Sequence, residues 1–583
     1  MTAWVVPILL FAIALWRAPV AFVVLAVLAP LSGLLGLWTN LPFQGPRLYE
    51  LLVTAVVLAV LARGLSWTTS RIVTPGLALI AIALASALVT MPAWLLMHGV
   101  EVTGAAVWTA LVQGDFFAIT PAWQPAHAAV LITLGVLLAI AVESTIRKHP
   151  ETGLWVIVGL AVGGTAAALL NLRRVLELAA GRDALSVAGV VDLLASVRLN
   201  TQFDINAAGS MFALLILACA SGLSRTGWYR WVLAGAMATM AVGGLWLSGS
   251  RTALAATLAV AVGALAIVAL RARPEHRRRA AVVLAGVILV SAAAVAVYPA
   301  TRNFAVSGSV DSRLILYRTA MKMWRDAPVT GAGVGTFFTR SVDYGSAEID
   351  KILITGRLRE NAHNYFLQVL AELGVIGLAA YLALLGSALW FGRHSVWLAA
   401  AIVVFLATSL TGHPQLLSNA VMPFWLVFGA LAATSSAPGI KSAKIQALLV
   451  AVLAVILLLT IPFRAGRTRD AIPLEHGGLR VSLWQTSDDG YRYRTADERS
   501  AVFVPTGSTI VIPVRLGPDS STSAMVDVRV DGVLVNQVIL RADEWTQLRL
   551  SIRNARRRFV ELRLSGEPAI TFWIGRADAK ILD

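Results

Sequence analysis

The chain has 583 residues, of which 58% are hydrophobic and only 14% are charged. Because apolar runs near 20 residues recur along it, this composition excludes a water-soluble globular protein and indicates a polytopic membrane protein. The formal charge of +16 is interpreted as a topology signal rather than a nucleic-acid-binding surface, since basic residues of membrane proteins concentrate in cytoplasmic loops. The single cysteine, Cys219, excludes an intramolecular disulfide and a cysteine-rich metal site.

The apolar runs predict about 13 or 14 transmembrane helices. The first two runs, 3–16 and 20–38, are separated by Arg17 and Pro19 and predict a short helical hairpin, with one broken helix as the alternative. The N-terminus lacks the basic region of a cleaved signal peptide, so the first helix is expected to remain. The further predicted spans are 48–61, 76–96, 126–142, 153–172, 207–220, 228–247, 252–270, 280–298, 366–391, 395–411, 421–434 and 445–463.

The basic connectors predict the orientation of these helices. Residues 271–279 (RARPEHRRR) are the strongest cytoplasmic marker. Counting helices outward from this connector places other basic groups on the same side: Arg147, Lys148, Arg225, Arg230, Arg393, Lys441 and Lys444. The large polar loop at about 299–365 is then extracytoplasmic and is interpreted as a catalytic lid. The same face carries the loop near Asn200, the turns at 248–251 and 412–419, and everything after residue 463.

The C-terminal part of the chain has a different composition. Short alternating segments are separated by turn residues, and Asp531-Gly532 between two of them is a strong hairpin signal. Residues 1–463 are therefore predicted to form the transmembrane domain and residues 464–583 an extracytoplasmic β-sandwich. Its aromatic residues are interpreted as packing residues, with stacking on sugars as the alternative. They include Trp484, Tyr491 and Trp545.

Four short motifs lie in order on the predicted extracytoplasmic face. They are R-x4-F-x2-N (Arg198, Phe203, Asn206), S-x-S-R (Ser248 to Arg251), R-x(n)-W-x3-P-x2-G-x-G (Arg313, Trp324, Pro328, Gly331, Gly333) and H-N-x3-Q-x3-E-x-G (His363, Asn364, Gln368, Glu372, Gly374). Together, over about residues 150–435, they resemble the O-antigen ligase and O-antigen polymerase superfamily of bacterial envelope glycosyltransferases. The final helix and the sandwich are not part of the minimal ligase, which leaves the acceptor open.

The resemblance implies a glycosyltransferase-C-like fold in the bacterial inner membrane and a role in lipopolysaccharide biosynthesis. A glycan would move from a polyprenyl-diphosphate carrier such as undecaprenyl diphosphate to an acceptor hydroxyl, on lipid A-core or similar, at the outer face.

For this reaction the protein must bind a diphosphate and remove one proton from the acceptor hydroxyl. Arginine suits the diphosphate because its planar fork binds phosphate oxygens in pairs, which favours Arg198, Arg251 and Arg313. Histidine titrates at about 6.5 and suits the base, which favours His363. Three residues are expected to support these groups: Asn206, Asn364 and Glu372.

Each of these residues also has a structural interpretation. His363 can cap or pack against the helix beginning at Asn364, and Arg251 can extend to the membrane interface. Arg313 can lie on the solvated face of the loop helix, and Asp204 and Asn206 can both cap the span that follows them. His413, in the turn TGHP, is interpreted as structural.

The predicted reaction needs no metal, because no Asp, Glu or His cluster has metal-ligand spacing. It needs no cofactor either, because the lipid-linked glycan donor is a substrate that carries its own activated leaving group. The expected partners are the lipid-linked glycan, a lipid or glycan acceptor and membrane lipids, without nucleic acid. In-line displacement predicts inversion at the anomeric carbon.

Three alternatives to a ligase remain open. A polymerase of the same superfamily would use a second lipid-linked glycan as acceptor, and a protein O-oligosaccharyltransferase would use a serine or threonine. A transporter is a more remote alternative, because it would require ionisable residues or broken helices near the bilayer midplane.

Overall fold

A computed structural model describes most of the chain. The described residues are 2–35, 45–64, 70–97, 103–112, 123–182, 186–201, 204–223, 227–271, 282, 285–286, 307–344, 361–435, 448, 450–462, 478–481, 485–486, 492–504, 509–518, 523–530, 533–551, 558–564, 571–575 and 578–580. Parts of the predicted loop (299–306 and 345–360) and of the predicted span at 280–298 therefore lie outside the described residues.

The α-helices of the described residues, in chain order, are α1 (Thr2–Leu28), α2 (Gly45–Ala62), α3 (Val73–Met97), α4 (Gly104–Val112), α5 (Gln124–Lys148), α6 (Glu151–Ala180), α7 (Val187–Ser196), α8 (Ile205–Ala220), α9 (Tyr229–Met240), α10 (Arg251–Arg271), α11 (Ser307–Asp326), α12 (Phe337–Tyr344), α13 (Tyr365–Gly392), α14 (Val396–Ser409), α15 (Ser418–Ala433) and α16 (Val450–Pro462). A 3-10 helix (Ala29–Leu34) follows α1, a π-helical turn (Ala241–Trp246) follows α9, and a second 3-10 helix (Pro414–Leu416) precedes α15.

Six of the described helical segments are long and apolar enough to cross a membrane. They lie in α1 with its 3-10 extension, α3, α5, α6, α10 and α13, and α8, α14, α15 and α16 are shorter apolar helices. The predicted class, a polytopic helical membrane protein with a C-terminal β region, is confirmed. At the N-terminus, two helical segments join at a kink at Arg17 (φ −139°, ψ 80°) without a separate loop.

Contacts between residues divide the chain into two units. One unit contains residues 1–86, 110–119 and 126–457, and the other contains residues 87–109, 120–125 and 458–583. All the predicted site residues belong to the first unit.

Basic side chains meet helix C-termini at one end of the first unit. Lys148 Nζ lies 3.3 Å from the Gly64 carbonyl oxygen, and the Arg147 guanidinium lies 3.4 Å from that of Ala432. Arg271 Nη1 likewise lies 3.4 Å from the Arg393 carbonyl oxygen. These contacts suit the negative pole of a helix, whose last four carbonyls lack intrahelical donors. The C-terminal ends of α2, α5 and α15 therefore lie together.

A left-handed residue kinks α13 near its start. Gly374 has φ 67° and ψ −168°, a conformation that is nearly restricted to glycine. The kink exposes backbone groups to the preceding loop, where Val375 N donates to Pro328 O over 2.9 Å and Gly333 N donates to Glu372 O over 3.0 Å. The loop that connects α11 to α12 is thereby attached to α13 by backbone hydrogen bonds.

The C-terminal strands form one antiparallel hydrogen-bonded network. They are β1 (Gly478–Val481), β2 (Gln485–Thr486), β3 (Arg492–Val504), β4 (Thr509–Leu516), β5 (Ser523–Val530), β6 (Val533–Arg541), β7 (Thr546–Ser551), β8 (Arg558–Leu564), β9 (Phe572–Gly575) and β10 (Asp578–Lys580). The order is β10-β4-β9-β3-β8-β5-β6, with β7 beside β4 and with β1 and β2 beside β3. Val530 pairs with Val533, so the hairpin signal between β5 and β6 is confirmed.

One apolar core fills this sheet. Alternate residues of β4 are buried, as expected for a sheet with one face inward. The core joins β4 and β7 with β5 and β6, for example Ile512 and Leu548 with Val526 and Leu540. Since β6 also contacts β4 and β7, the sheet curls around its core. The two facing layers predicted for a sandwich are thus parts of one continuous sheet among the described strands.

We predict that Gly374→Ala destabilises the protein. The backbone conformation alone costs about 1 to 3 kcal/mol for a residue with a side chain, and the added Cβ would meet backbone atoms of Val329 and Gly331. Thermal unfolding of the purified full chain measures the effect. Gly386→Ala is the matched control, because it lies on the same helix with nothing within 4 Å of the added Cβ and should be neutral or slightly stabilising. Equal unfolding temperatures for both variants would contradict the assigned strain.

Candidate active site

Arg198 joins the first two sequence motifs. It follows α7, whose first turn is capped by Ser186 accepting from Gly189 N over 3.1 Å. Beyond α7 the chain pairs with the end of the π-helical turn, since Leu199 N donates to Leu247 O over 2.8 Å. This pairing brings the guanidinium to the second motif, where its Nε lies 3.5 Å from Ser248 O.

The Arg198 guanidinium also contacts the start of α8. Its Nη2 lies 3.2 Å from Asn206 Oδ1. Asp204 caps this helix by accepting from Asn206 N and Ala207 N, each over 2.9 Å. Asp204 therefore supplies the predicted cap, and the Asn206 side chain remains available to hold Arg198. Phe203, the middle residue of the motif, lies outside the described residues.

Arg251 is the first residue of α10 and lies three positions after Ser248, whose carbonyl contacts Arg198. The turn before it is buried, with Ser248 and Ser250 at 0% and 7% exposure. It packs on α8, because a Cβ at Gly209 would contact the side chains of both serines. The turn therefore places Arg251 and Arg198 at the same end of the helical unit.

His363 has an unusual backbone conformation. Its φ of 48° is the only positive φ of a non-glycine residue among those that the structure describes. Such conformations concentrate at functional sites, because surrounding contacts must hold them. Here Asn361 Oδ1 accepts from His363 N over 2.8 Å, and Asn364 caps α13 by accepting from Leu367 N over 3.1 Å. Capping of α13, which was the structural alternative for His363, is therefore performed by Asn364.

A second histidine links His363 to the first motif. The His413 ring packs edge-to-face on the His363 ring, with centroids 5.3 Å apart and an interplanar angle of 70°. His413 Nε2 lies 3.9 Å from Asp204 Oδ1, and the His413 side chain is 10% exposed. Because Asp204 caps the helix that carries Asn206, a continuous set of contacts runs from His363 to Arg198.

Tyr317 of α11 approaches the same place. Its hydroxyl lies 3.3 Å from His363 O and 3.0 Å from Leu410 O, so its single proton is shared between the two carbonyls. Burial raises the pKa of Tyr317, against the opposing effects of the Arg313 charge and a hydrogen bond with Asn364. The phenol therefore stays protonated and can donate. Arg313, half-buried and one helical turn before Tyr317, lies beside this group.

Glu372 has a different role from the arginines and His363. Its carboxylate accepts from Gly335 N over 2.7 Å, from Phe337 N over 3.0 Å and from Gln368 Nε2 over 3.1 Å. The side chain is buried, and these donors occupy both of its oxygens. Glu372 therefore fastens the start of α12 to α13, as a support for the site.

The described residues thus bring together Arg198, Asn206 and His363. Three further predicted residues lie close to them along the chain: Arg251 follows Ser248 by three positions, Arg313 precedes Tyr317 by four, and Asn364 follows His363 directly. Sequence reasoning missed two connecting residues: Asp204, interpreted only as a cap, and His413, interpreted as structural. The signal for His413 was its place in a polar turn at the same end as the four motifs. Within the part of the chain that the structure describes, no group of three or more His, Cys, Asp or Glu side chains is placed to hold a metal ion.

These features define a class: a multi-pass helical membrane protein with a polar site built where several helices begin. Comparison with known families then adds a match over part of the chain. Residues 235–382 match the family model described as O-antigen ligase, which supports membership of the chain in the O-antigen ligase and polymerase superfamily. No curated protein matches the chain. The matched segment includes Arg251, Arg313 and His363, and it ends before His413.

The family match has a functional implication at a coarse level. The superfamily consists of glycosyltransferase or ligase-type enzymes that act on lipid-linked glycans. The match therefore supports a membrane-embedded enzyme of the O-antigen ligase or polymerase type.

We predict that Glu372→Gln loosens the loop before α12. A glutamine has one oxygen, so an amide NH2 would face one of the backbone N–H donors now bound by the carboxylate, at a cost of about 1 to 3 kcal/mol. Thermal unfolding and limited proteolysis of the purified chain measure the loss. Glu177→Gln is the control, since Glu177 is an exposed residue paired with Arg173 and Arg174 and its change should have little effect. Unchanged unfolding of Glu372→Gln would exclude the fastening role.

Proposed function

We propose that the protein is an O-antigen ligase-like glycosyltransferase that moves a glycan from a polyprenyl diphosphate to an acceptor hydroxyl. The observation that carries the proposal is the contact network joining Arg198 to His363 through Asp204 and His413. These contacts join an arginine and a histidine that are separated by 165 residues of sequence.

The arginines bind the donor diphosphate in this proposal. Arg198 and Arg251 are the principal ligands, and Arg313 approaches from the helix of the loop. As the glycosidic bond breaks, negative charge grows on the departing diphosphate, and fixed guanidinium groups stabilise that charge. Removal of one such donor typically costs about 3 kcal/mol, or roughly a hundredfold in rate.

His363 acts as the general base. It accepts the proton of the acceptor hydroxyl while the hydroxyl oxygen attacks the anomeric carbon from the side opposite the diphosphate. The new carbon–oxygen bond forms as the bond to the diphosphate breaks, and the electron pair leaves with the diphosphate. The configuration at the anomeric carbon is therefore inverted. No metal or cofactor is required by this scheme, because the donor carries its own leaving group.

The site lies on the outer face of the bacterial inner membrane in this proposal. One observation supports this orientation: the end of the helical unit opposite the site carries Arg147, Lys148 and Arg271, as the positive-inside rule expects of a cytoplasmic face. Residues 464–583 are proposed to be an extracytoplasmic domain that follows the transmembrane domain. The acceptor is proposed to be lipid A-core or a similar lipid.

Two alternatives of the same chemistry differ only in the acceptor. A polymerase would extend a second lipid-linked glycan, and a protein O-oligosaccharyltransferase would modify serine or threonine. Removing the gene from its host separates them. A missing ligase leaves full-length lipid-linked chains, a missing polymerase leaves single units, and a missing protein transferase leaves envelope proteins without their glycans.

We predict that the gene deletion accumulates full-length lipid-linked chains. Expression of His363→Ala should leave that accumulation in place, because the change removes the proposed base. His149→Ala, a change at an exposed histidine between α5 and α6, should restore transfer and serves as the control. Normal glycan transfer by His363→Ala, or retention of configuration in the product, would refute the mechanism.

We predict that Arg251→Lys loses most of the transfer activity although the charge is kept. A lysine ammonium cannot form the paired hydrogen bonds of a guanidinium, so the rate should fall roughly a hundredfold. An in vitro assay with a polyprenyl-diphosphate-linked glycan measures the rate. Arg271→Lys, at the other end of the same helix, should retain the wild-type rate. Equal rates for both variants would remove Arg251 from the diphosphate site.

A further inference from the structure

A buried polar cluster lies outside the residues discussed so far. Glu50 of α2 is 4% exposed, and its two carboxylate oxygens have separate partners. Oε2 accepts from Arg47 Nη1 over 2.6 Å, and Oε1 lies 3.1 Å from His127 Nε2 of α5. Oε1 also accepts from the hydroxyl of Ser418, the first residue of α15. One carboxylate therefore ties together the beginnings of α2, α5 and α15.

Burial of these charged groups carries an unfavourable desolvation free energy. Arginine carries its charge under all ordinary conditions, and a buried charge is tolerated only with a close counter-charge and further hydrogen bonds. Apolar side chains of similar size would fill the same space without that desolvation cost. Buried ionisable groups with specific charged partners are functional candidates for this reason. The proposed transfer chemistry uses none of these four side chains.

The cluster adjoins the active site through a short segment, residues 410–418, which we name the histidine turn. Its last residue is Ser418, bound to Glu50, and it includes His413, packed against His363. The turn is anchored twice more along its length. Leu410 O accepts from the Tyr317 hydroxyl over 3.0 Å, and Gln415 Nε2 donates to the Tyr381 hydroxyl over 2.9 Å.

Both tyrosines that anchor the histidine turn also contact His363 or a residue near it. Tyr317 also contacts the carbonyl of His363, and the Tyr381 ring packs edge-to-face on Tyr365, two residues after His363. The histidine turn is buried from His413 to Ser418, with Ser418 at 0% exposure. A displacement of Ser418 would therefore pass to His413, because the intervening 3-10 helix is short and tightly packed.

We infer that Glu50 and Ser418 are positioning residues for transfer: their hydrogen bond holds the histidine turn so that His413 sets the orientation of the His363 ring. This inference rests on the proposed role of His363 as the base. It extends the site to α2 and α5, which precede the segment that matches the O-antigen ligase family. A base must lie within hydrogen-bonding distance of the proton that it abstracts, and a displacement near 1 Å can cost roughly a hundredfold in rate.

Ser418→Ala tests the inference. The change removes one hydroxyl and leaves the Arg47–Glu50–His127 contacts in place, whereas Glu50→Gln would leave Arg47 buried without its counter-charge and risks misfolding. We expect turnover per donor-binding site to fall at least roughly tenfold, with donor affinity unchanged because the arginines are untouched. Donor-binding sites are counted by titration of the purified full chain with the lipid-linked glycan, so unfolded protein does not contribute.

Two companion variants separate positioning from general stability. Ser418→Thr keeps a hydroxyl at the same atom and should recover most of the turnover. Ser409→Ala is the matched control, since Ser409 is equally buried but its hydroxyl donates to Phe405 O of its own helix over 2.8 Å. Wild-type turnover is expected for it.

Wild-type turnover per binding site in Ser418→Ala would overturn the positioning role. The same holds if Ser418→Thr is as impaired as Ser418→Ala while it binds donor normally. These two Ser418 results would contradict only the positioning role. Failure of the proposed function would instead appear as normal glycan transfer by His363→Ala. Loss of transfer in His363→Ala with full turnover in Ser418→Ala would remove the positioning inference alone.

Discussion

The pairing of polar groups where helices begin is the constraint on which this site depends. The first four N–H groups of a helix have no intrahelical acceptor, and polar side chains at such an end cannot rely on water when they are buried. Asp204 and Asn364 satisfy the N–H groups of α8 and α13. Glu50 in the second turn of α2 pairs with Ser418, the first residue of α15, although the two residues lie 368 positions apart in sequence. These pairings decide which helix starts meet.

Several helix N-termini lie at the site, and their polarity favours the proposed chemistry. Helix N-termini carry partial positive charge and C-termini carry partial negative charge. The site end combines these positive poles with Arg198 and Arg251, which suits an anionic diphosphate. At the other end, Arg147 and Lys148 meet carbonyls, where their charges stabilise the helix ends.

Sequence reasoning succeeded where a local signal was sufficient. Long apolar runs predicted the membrane class, the alternation after residue 478 predicted strands, and Asp531-Gly532 predicted the hairpin of β5 and β6. Contacts between distant segments had no such signal. The bond between Glu50 and Ser418, the packing of His413 on His363 and the curl of the sheet depend on tertiary geometry that no periodicity records. The kink at Gly374 also escaped prediction, because an isolated glycine in an apolar helix has several explanations.

The motif that ends at Gly374 shows how function and support are divided along one helix. Asn364, Gln368 and Glu372 follow one another at intervals of four and so share a face of α13. Asn364 caps the helix, Gln368 donates to Glu372, and Glu372 holds the loop before α12. Gly374 then lets the backbone of α13 reach the same loop. His363, the proposed base, lies before the first turn and has a positive φ of 48°. The regular spacing therefore belongs to the residues that hold the site, and the residue proposed for chemistry stands immediately before it.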